Sequence, residues 1–218
     1  MAELHNHAEI ENQLRQQLVD YGQSLFNRGY ATGGAGNISL RLPCGNYLAT
    51  PTGSSMGRLQ ADRLSKVDID GNHLSGDKPS KEVQFHLAIY RANPSYGAIV
   101  HLHCTYLTAL SCRDDLDSNN CIKPFTPYFV MRIGQLPVVP YFAPGAAEIA
   151  EHLAALAPQH RAMLLANHGP VCAGKDLFDA GDNMEELEET AKLMQLMQQQ
   201  PIRYLSDAEV ATLEAKYG

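Results

Sequence analysis

Positive charge is scarce in this sequence, in which 17 lysine and arginine residues stand against 24 aspartate and glutamate residues, for a formal net charge of −7. An acidic chain repels the phosphates of nucleic acids and the headgroups of anionic lipids, so we expect neither nucleic acid nor a membrane among its partners. A small anionic ligand therefore needs a locally positive pocket. A bound metal ion and a loop of backbone N–H groups can both supply one.

Cysteines and long apolar runs are also in short supply. The five cysteines are odd in number and form no C-x-x-C pair, which argues against a disulfide framework and against a cysteine zinc site. No apolar run approaches the roughly 18–20 residues that cross a membrane. The start, MAELHNHAEI, lacks the basic and apolar regions of a signal peptide. We therefore expect a protein of the reducing cytoplasm.

The distribution of apolar residues indicates one domain over residues 1–218, because 44 % of the residues are hydrophobic and no repeat or linker interrupts the chain. Apolar spacing predicts helices over residues 3–28, 81–92, 146–157 and about 177–199. The last of these is expected to have Asp176 as its N-cap. Strands are predicted at residues 37–42, 46–50, 67–70, 98–105 and 163–167, and a mixture of strand and loop at 123–145. This alternation is typical of a mixed α/β domain built in layers.

Two histidines separated by one residue, His101 and His103, are the strongest chemical signal. Alternate residues of a strand point to the same face, so both imidazoles can bind one metal ion. A catalytic zinc site has three protein ligands and one open position. His168, which lies between a predicted apolar strand and an expected turn at Gly169-Pro170, is the third candidate. The alternative is a pair of histidines hydrogen-bonded within a sheet. His5 and His7 repeat the spacing near a terminus in helical or disordered sequence, where we expect no metal.

Glu82 lies near the predicted start of a helix, after Ser80, which we expect to be its N-cap. A carboxylate at this position stabilises the helix dipole, and that is the plainer explanation of Glu82. Its other explanation is an acid or base that works beside the metal. His86, one helical turn further on, is expected to be a packing residue.

Two glycine-bearing loops can present backbone N–H groups and hydroxyls to a phosphate. The first covers residues 33–37 and the second residues 52–55. Neither matches a P-loop, so tight turns are the alternative explanation for both. Lys81 and Arg132 are the nearby cations that are candidates for binding an anionic ligand, and the alternative for each is a solvated surface side chain.

Taken in order, these segments resemble the class II aldolase/adducin family. The resemblance extends over about residues 8–200 and rests on five stretches: Gly36-Asn37-Ile38-Ser39, Thr50-Pro51-Thr52-Gly53, Pro79-Ser80-Lys81-Glu82, His101-Leu102-His103 and Asn167-His168-Gly169. It implies an α/β/α sandwich around a mostly antiparallel sheet. It also implies a homotetramer with its active sites between subunits.

The resemblance implies a role for each matching residue. His101, His103 and His168 correspond to the ligands of one Zn²⁺ per subunit, and Glu82 to the acid/base residue. The phosphate-binding positions correspond to Gly36, Asn37, Thr52, Gly53 and Ser80. Members of the family that are not enzymes have lost the histidines, so an adducin-like interaction module is the disfavoured alternative.

One departure from the family pattern distinguishes between reactions. Sugar-phosphate aldolases of the family commonly have Ser-Ser-Glu where this chain has Ser80-Lys81-Glu82. A lysine at this position is similar to the pattern of the branch that decarboxylates 3-oxo-tetronate 4-phosphates. The sequence of the segment 127–145 also resembles that branch. The implied reaction releases CO₂ and dihydroxyacetone phosphate through an enediolate, with Lys81 at the substrate carboxylate. The alternative is a sugar-phosphate aldolase or epimerase, in which Tyr128 matches the position that protonates the departing aldehyde oxygen. A decarboxylation has no such oxygen, and packing is the other explanation of Tyr128.

Overall fold

The computed structural model describes residues 2–217, and of residues 2–6 it describes only the backbone. Eight strands form one sheet in the order β4-β3-β2-β1-β5-β8-β7-β6. The neighbouring strands are antiparallel except for β6 and β7, which run parallel. The strands are β1 (Asn37–Arg41), β2 (Tyr47–Ala49), β3 (Ser65–Val67), β4 (His73–Ser75), β5 (Ala98–His101), β6 (Val138–Val139), β7 (Ala162–Leu165) and β8 (Gly169–Gly174).

Seven α-helices in the described part of the chain cover both faces of this sheet, and none is long and apolar enough to cross a bilayer. They are α1 (Ala2–Asn27), α2 (Val83–Ala92), α3 (Thr105–Ser111), α4 (Pro127–Arg132), α5 (Ala147–Leu156), α6 (Leu177–Leu196) and α7 (Asp207–Tyr217). One buried apolar cluster joins the sheet to α1, α3, α4 and α6, and a second joins it to α2 and α5. The predicted α/β/α arrangement around a mostly antiparallel sheet is therefore confirmed.

The alternation of side chains along β1 separates apolar from polar residues. Ile38 and Leu40 belong to the cluster under α1 and α6. Asn37 and Ser39 point to the opposite face and are nevertheless buried, because α2 covers them. The β1–β5 register places Asn37 directly beside His101, so two residues that are 64 positions apart in the chain become cross-strand neighbours.

Three predicted elements differ from the structure near the histidines. Strand β5 ends at His101, so His103 lies beyond the strand, in extended chain before α3. Gly169 was expected in a turn but begins β8, and the turn is confined to residues 166–168. Ser80 is not the N-cap of α2, because that helix begins at Val83 with Glu82 as its cap residue.

The segment 123–145 contains a helix that its proline content conceals. Thr126 caps α4 by accepting a hydrogen bond from the backbone of Phe129, and Pro127 occupies the first turn, where its missing N–H costs nothing. Asp176 caps α6 by accepting a hydrogen bond from the backbone of Asp179, as the sequence predicted for this long helix.

Candidate active site

Three histidines converge at the end of the sheet. Their ligand atoms all lie within 4.8 Å of one another, and the nearest measured pair, His101 Nε2 and His103 Nε2, is 3.2 Å apart. The three rings are steeply inclined to one another, at interplanar angles of 69–84°, and their centroids are 4.7–5.0 Å apart. The third member is His168, as the spacing of the sequence predicted.

Backbone geometry explains how these residues meet. His101 is the last residue of β5, and β5 pairs with β8. His168 lies in the tight turn between β7 and β8, where Asn167 has a positive φ of 56°, a conformation that asparagine tolerates better than most residues. Gly36, at the start of β1, has a φ of +81°, and a Cβ there would lie 2.7 Å from the carbonyl oxygen of His101. Only glycine therefore fits beside the first histidine.

The histidines have free nitrogen atoms for a metal ion. His101 Nδ1 donates a hydrogen bond to the carbonyl of Pro170 at 2.8 Å, which leaves the lone pair of Nε2 directed at the cluster. Burial, followed by the neighbouring histidines, holds the pKa of His101 well below its usual value. Burial and His168 also lower the pKa of His103. Neutral imidazole is the form that binds metals.

The donor set fits a zinc ion. Tetrahedral zinc with bonds of about 2.0–2.1 Å separates its ligand nitrogens by roughly 3.3 Å, which agrees with the 3.2 Å between His101 and His103. Among the residues whose side chains the structure describes, the cluster has three imidazoles and neither a thiolate nor a fourth nitrogen ligand, which is the composition of a catalytic site with an open position. The chemistry of the donors therefore favours a catalytic divalent metal over a structural one.

The carboxylate of Glu82 lies against the open side of the histidine cluster. Its Oε1 is 3.3 Å from His168 Nε2, and its Oε2 is 3.5 Å from His101 Nε2. Asn37 Nδ2 donates a hydrogen bond to Oε2 at 2.5 Å. A carboxylate that is next to the metal position and is held on one oxygen can transfer a proton from the other.

A cavity of about 260 Å³ opens over this carboxylate. All five predicted phosphate-binding residues line it, together with Lys81, Glu82 and His103; the five are Gly36, Asn37, Thr52, Gly53 and Ser80. Both glycine-bearing loops line this cavity. Thr52 N donates a hydrogen bond to the carbonyl of Lys78, which ties the second loop to the segment before Glu82. The side chain of Asn37 is engaged with Glu82, so its part in binding phosphate is limited to what remains of its hydrogen-bonding capacity.

Other nominated residues lie elsewhere. Tyr128, on α4, is 62 % exposed and is not among the described residues that line the cavity. Arg132 pairs with Asp182 and bonds Asn183 on α6, so it is not a cation of this site. The side chain of His5 lies outside the residues whose side chains the structure describes.

Two features of the site were missed from the sequence. Pro144 and Gly145, in the link between β6 and α5, complete the cavity wall. His86 was expected only to pack, but both of its ring nitrogens are hydrogen-bonded within the site, to Asn37 and to Ser39. The signal that could have found this is the alternation Asn37-Ile38-Ser39-Leu40, which predicts two polar groups on one strand face.

Comparison with known proteins identifies relatives along almost the whole chain. The family described as Class II Aldolase and Adducin N-terminal domain matches residues 16–195. A protein of Escherichia coli O6:H1 named 3-oxo-tetronate 4-phosphate decarboxylase is 60 % identical over 208 residues, covering 95 % of this chain and 98 % of the relative. A protein of Methanocaldococcus jannaschii named L-fuculose phosphate aldolase is 37 % identical over 179 residues, which cover 82 % of this chain and 94 % of the relative.

A solved structure gives the same result. The crystal structure of YgbL from Escherichia coli superimposes with a TM-score of 0.93 at 59 % identity, covering 94 % of this chain and 99 % of YgbL. The similarity in sequence and the similarity in fold each extend over more than nine tenths of the chain. The family match over residues 16–195 includes all three histidines and Glu82.

Proposed function

Because this chain belongs to the class II aldolase and adducin family, we propose that it is a metal-dependent carboxy-lyase that converts a 3-oxo-tetronate 4-phosphate into dihydroxyacetone phosphate and CO₂. The observation that carries the proposal is the position of Glu82 between the three histidines and a cavity lined by Lys81 and the two glycine-bearing loops. The identity to the Escherichia coli decarboxylase over 95 % of the chain supports this substrate class.

The substrate of this reaction is a β-keto acid, with a carboxylate at C1, a hydroxyl at C2, a ketone at C3 and a phosphate at C4. When the C1–C2 bond breaks, CO₂ leaves and the bonding electrons remain on the substrate as an enediolate. A zinc ion held by the three histidines would supply the Lewis acid that stabilises this negative charge as it develops. Because the stabilisation is greatest after the bond begins to break, it lowers the barrier and does not merely tighten binding.

Glu82 completes the reaction by delivering a proton to C2. Asn37 donates its hydrogen bond to Oε2, which leaves Oε1 to carry the transferable proton. Protonation of C2 gives the CH₂OH group of dihydroxyacetone phosphate and leaves Glu82 ionised. One proton is consumed per turnover, and Glu82 regains it from solvent before the next substrate reacts.

The polar ends of the substrate have separate candidate partners. The two loops around Gly36 and Gly53, with Ser80, would hold the phosphate through backbone N–H groups and hydroxyls. Lys81 is exposed on the cavity wall next to Glu82, where its ammonium group can reach the C1 carboxylate. The lysine orients the carboxylate so that the breaking bond lies along the π-system of the ketone, since a point charge on a flexible stem imposes no planar geometry.

A sugar-phosphate aldolase is the second candidate, because the 37 % identity to the Methanocaldococcus jannaschii protein extends over 82 % of the chain. A retro-aldol cleavage leaves the same enediolate and releases an aldehyde in place of CO₂. It needs a proton donor for the aldehyde oxygen. Tyr128 has no step in a decarboxylation, whereas in an aldolase it would provide that proton from the exposed surface of α4.

The assay that distinguishes the candidates measures products. Zinc-loaded protein is supplied separately with the two C2 epimers of 3-oxo-tetronate 4-phosphate and with L-fuculose 1-phosphate. We expect CO₂ and dihydroxyacetone phosphate in equal amounts from at least one keto acid. Aldehyde release from the ketose phosphate, with no CO₂ from either keto acid, would overturn the decarboxylase in favour of the aldolase.

We further propose a cytoplasmic homotetramer. The family resemblance and the exposed aromatic residues Tyr128 and Tyr141 support association of subunits. Light scattering of an active preparation checks the assembly, because a 23.9 kDa particle with full activity would contradict it.

A further inference from the structure

A chain of hydrogen bonds leads from the interior of the protein to Glu82, along the sheet face that α2 covers. Ser39 Oγ lies 2.7 Å from His86 Nδ1, and His86 Nε2 lies 2.6 Å from Asn37 Oδ1. Asn37 Nδ2 in turn donates to Glu82 Oε2 at 2.5 Å. Ser39, His86 and Asn37 are all buried, so water does not compete for these hydrogen bonds.

The direction of each hydrogen bond follows from the carboxylate of Glu82, with which the series of hydrogen bonds ends. Ionised Glu82 only accepts hydrogen bonds, so the nitrogen of the Asn37 amide faces it and the amide oxygen faces His86. That oxygen also only accepts, and the proton of the neutral imidazole must therefore be on Nε2. Nδ1 is left as an acceptor, and the hydroxyl of Ser39 donates to it.

We propose that His86, held in its Nε2–H tautomer by Ser39, is a positioning residue that locks the Asn37 amide in the one orientation that binds Glu82. If the imidazole proton moved to Nδ1, His86 Nε2 and Asn37 Oδ1 would be two acceptors facing each other at 2.6 Å. The amide would then turn over, and its oxygen would face the carboxylate of Glu82. Two acceptors in contact repel, so Glu82 would leave its place beside the histidines.

The surroundings of His86 support this role. The ring is 1 % exposed, and burial, followed by the nearby His101, lowers its pKa to about 3, so the imidazole is neutral whenever the enzyme works near neutral pH. An apolar side chain would fill the space between β1 and α2 without needing any hydrogen-bond partner. The inference rests on the proposed function of Glu82 as the proton donor.

Two substitutions of His86 distinguish its proposed positioning role from a role in packing alone. His86→Leu keeps a similar volume and removes both nitrogens, and we expect kcat to fall roughly 10- to 100-fold, the size of one hydrogen bond to a charged group, with KM changed less than about twofold. His86→Gln places an amide N–H near the position of Nε2 and should recover most of kcat. Zinc content, measured by elemental analysis, should equal the wild-type value in both variants.

A second pair of variants tests the tautomer. Ser39→Ala removes the hydroxyl that donates to Nδ1, so part of the His86 population should shift to the Nδ1–H form and kcat should fall by an intermediate factor. Ser65→Ala is the matched control, because Ser65 is equally buried in β3 and its hydroxyl donates to the carbonyl of Asp77. The control should lose stability and keep kcat.

The tautomer can also be read without any reaction. Nitrogen-15 NMR of zinc-loaded protein labelled at histidine distinguishes Nε2–H from Nδ1–H and from the charged imidazolium. We expect a single Nε2–H species for His86 in the wild-type protein and a mixture in Ser39→Ala. This measurement decides the proposal even when His86→Leu fails to fold.

The outcomes that overturn the proposal are distinct from failure of the proposed function. Any one of three results would refute the positioning role of His86. They are an Nδ1–H tautomer in the wild type, an unchanged kcat in His86→Leu, and an equal loss of kcat in the Leu and Gln variants. In those cases Glu82→Gln would still be inactive. If instead Glu82 is not the proton donor, Glu82→Gln keeps full turnover whatever the state of His86.

Discussion

The two faces of the sheet differ in whether β1 and β5 bury polar side chains there. Beneath α1, α3 and α6 the residues that these two strands contribute to the core are apolar, and Ile38, Leu40 and Val100 are examples. Beneath α2 the same strands contribute Asn37, Ser39 and His101, all buried and all polar. Burial of polar groups costs free energy unless they are hydrogen-bonded. These three residues are tolerated beside the apolar cluster of α2 and α5 because each has a partner. Asn37 and Ser39 bond His86, and His101 bonds the carbonyl of Pro170.

The contrast teaches that stability and chemistry are divided between faces and not between regions of the sequence. Asn37 and Ile38 are adjacent in the chain, yet one bonds Glu82 and the other packs in the apolar core. Alternation along a strand makes this separation possible, because each residue faces away from its neighbours. Substitutions at adjacent positions should therefore have different consequences.

Glu82→Gln should produce the largest effect on the polar face. Glutamine keeps the shape of the side chain but cannot transfer a proton, so turnover should fall by roughly 10²–10⁴-fold. Zinc content should be unchanged, since the three histidines remain. Steady-state CO₂ release and elemental analysis check both statements. Unaltered turnover would mean that Glu82 serves only the start of α2.

Ile38→Ala should have the opposite signature on the apolar face. Removing a fully buried isoleucine side chain leaves a cavity and should cost about 2–5 kcal/mol of the free energy of unfolding. The kcat per folded molecule should be unchanged. Asn37→Ala, one residue away, should instead reduce kcat more than stability. Equal effects of the two substitutions on kcat, measured beside denaturant unfolding, would remove the distinction between the faces.

The pH dependence of stability should reveal the buried histidine of the polar face. His86 has a pKa of about 3 in the folded protein, below the unfolded value of about 6.5. The unfolded chain therefore binds the extra proton first, and stability is lost as the pH falls from about 6.5 towards 3. The loss attributable to His86 should be about 2 kcal/mol at pH 5.

The matched variant for this measurement is His86→Gln, which cannot titrate. Denaturant unfolding of both proteins at several pH values between 5 and 8 should show a shallower decline for the variant. Parallel curves would contradict the assignment of a depressed pKa to His86.

Lys81→Ser, which gives this chain the Ser-Ser-Glu motif of the aldolases, should have the smallest effect. Lys81 is exposed, so its loss should raise KM for the keto acid and lower CO₂ release by only about 3- to 10-fold. In the proposed mechanism, exchange of the C–H proton of dihydroxyacetone phosphate depends on Glu82. It does not involve the C1 carboxylate of the keto acid, so this exchange should be spared. If CO₂ release and proton exchange decrease together, the lysine binds the phosphate. In that case the preference for decarboxylation loses support.

The sequence alone predicted the parts of the site that depend on local pattern. The H-x-H spacing of His101 and His103, the strand before His168 and the glycines of the two loops are all short-range signals. The overall α/β/α arrangement followed from the family resemblance, and the positions of α1 and α6 from apolar periodicity and from the Asp176 cap.

What sequence reasoning missed depends on tertiary contact or on conflicting local signals. The hydrogen bonds that join Ser39 and Asn37 to His86 connect residues 47 and 49 positions apart, and only sheet register and the packing of α2 bring them together. Proline-rich sequence concealed α4, although Thr126-Pro127 is a good helix start. Gly169-Pro170 indicated a turn, but pairing with β5 and β7 extends the chain into β8.

The most direct test of the central claim is a metal titration of the apo protein. Zinc is added in steps to chelator-treated enzyme, and CO₂ release from a 3-oxo-tetronate 4-phosphate is measured beside bound metal. Activity should rise in proportion to bound zinc and reach its maximum at one equivalent per chain. A variant in which His101, His103 and His168 are all replaced by alanine should bind none at this site and stay inactive. A full zinc equivalent retained by that variant, or full activity of the metal-free wild type, would contradict the account.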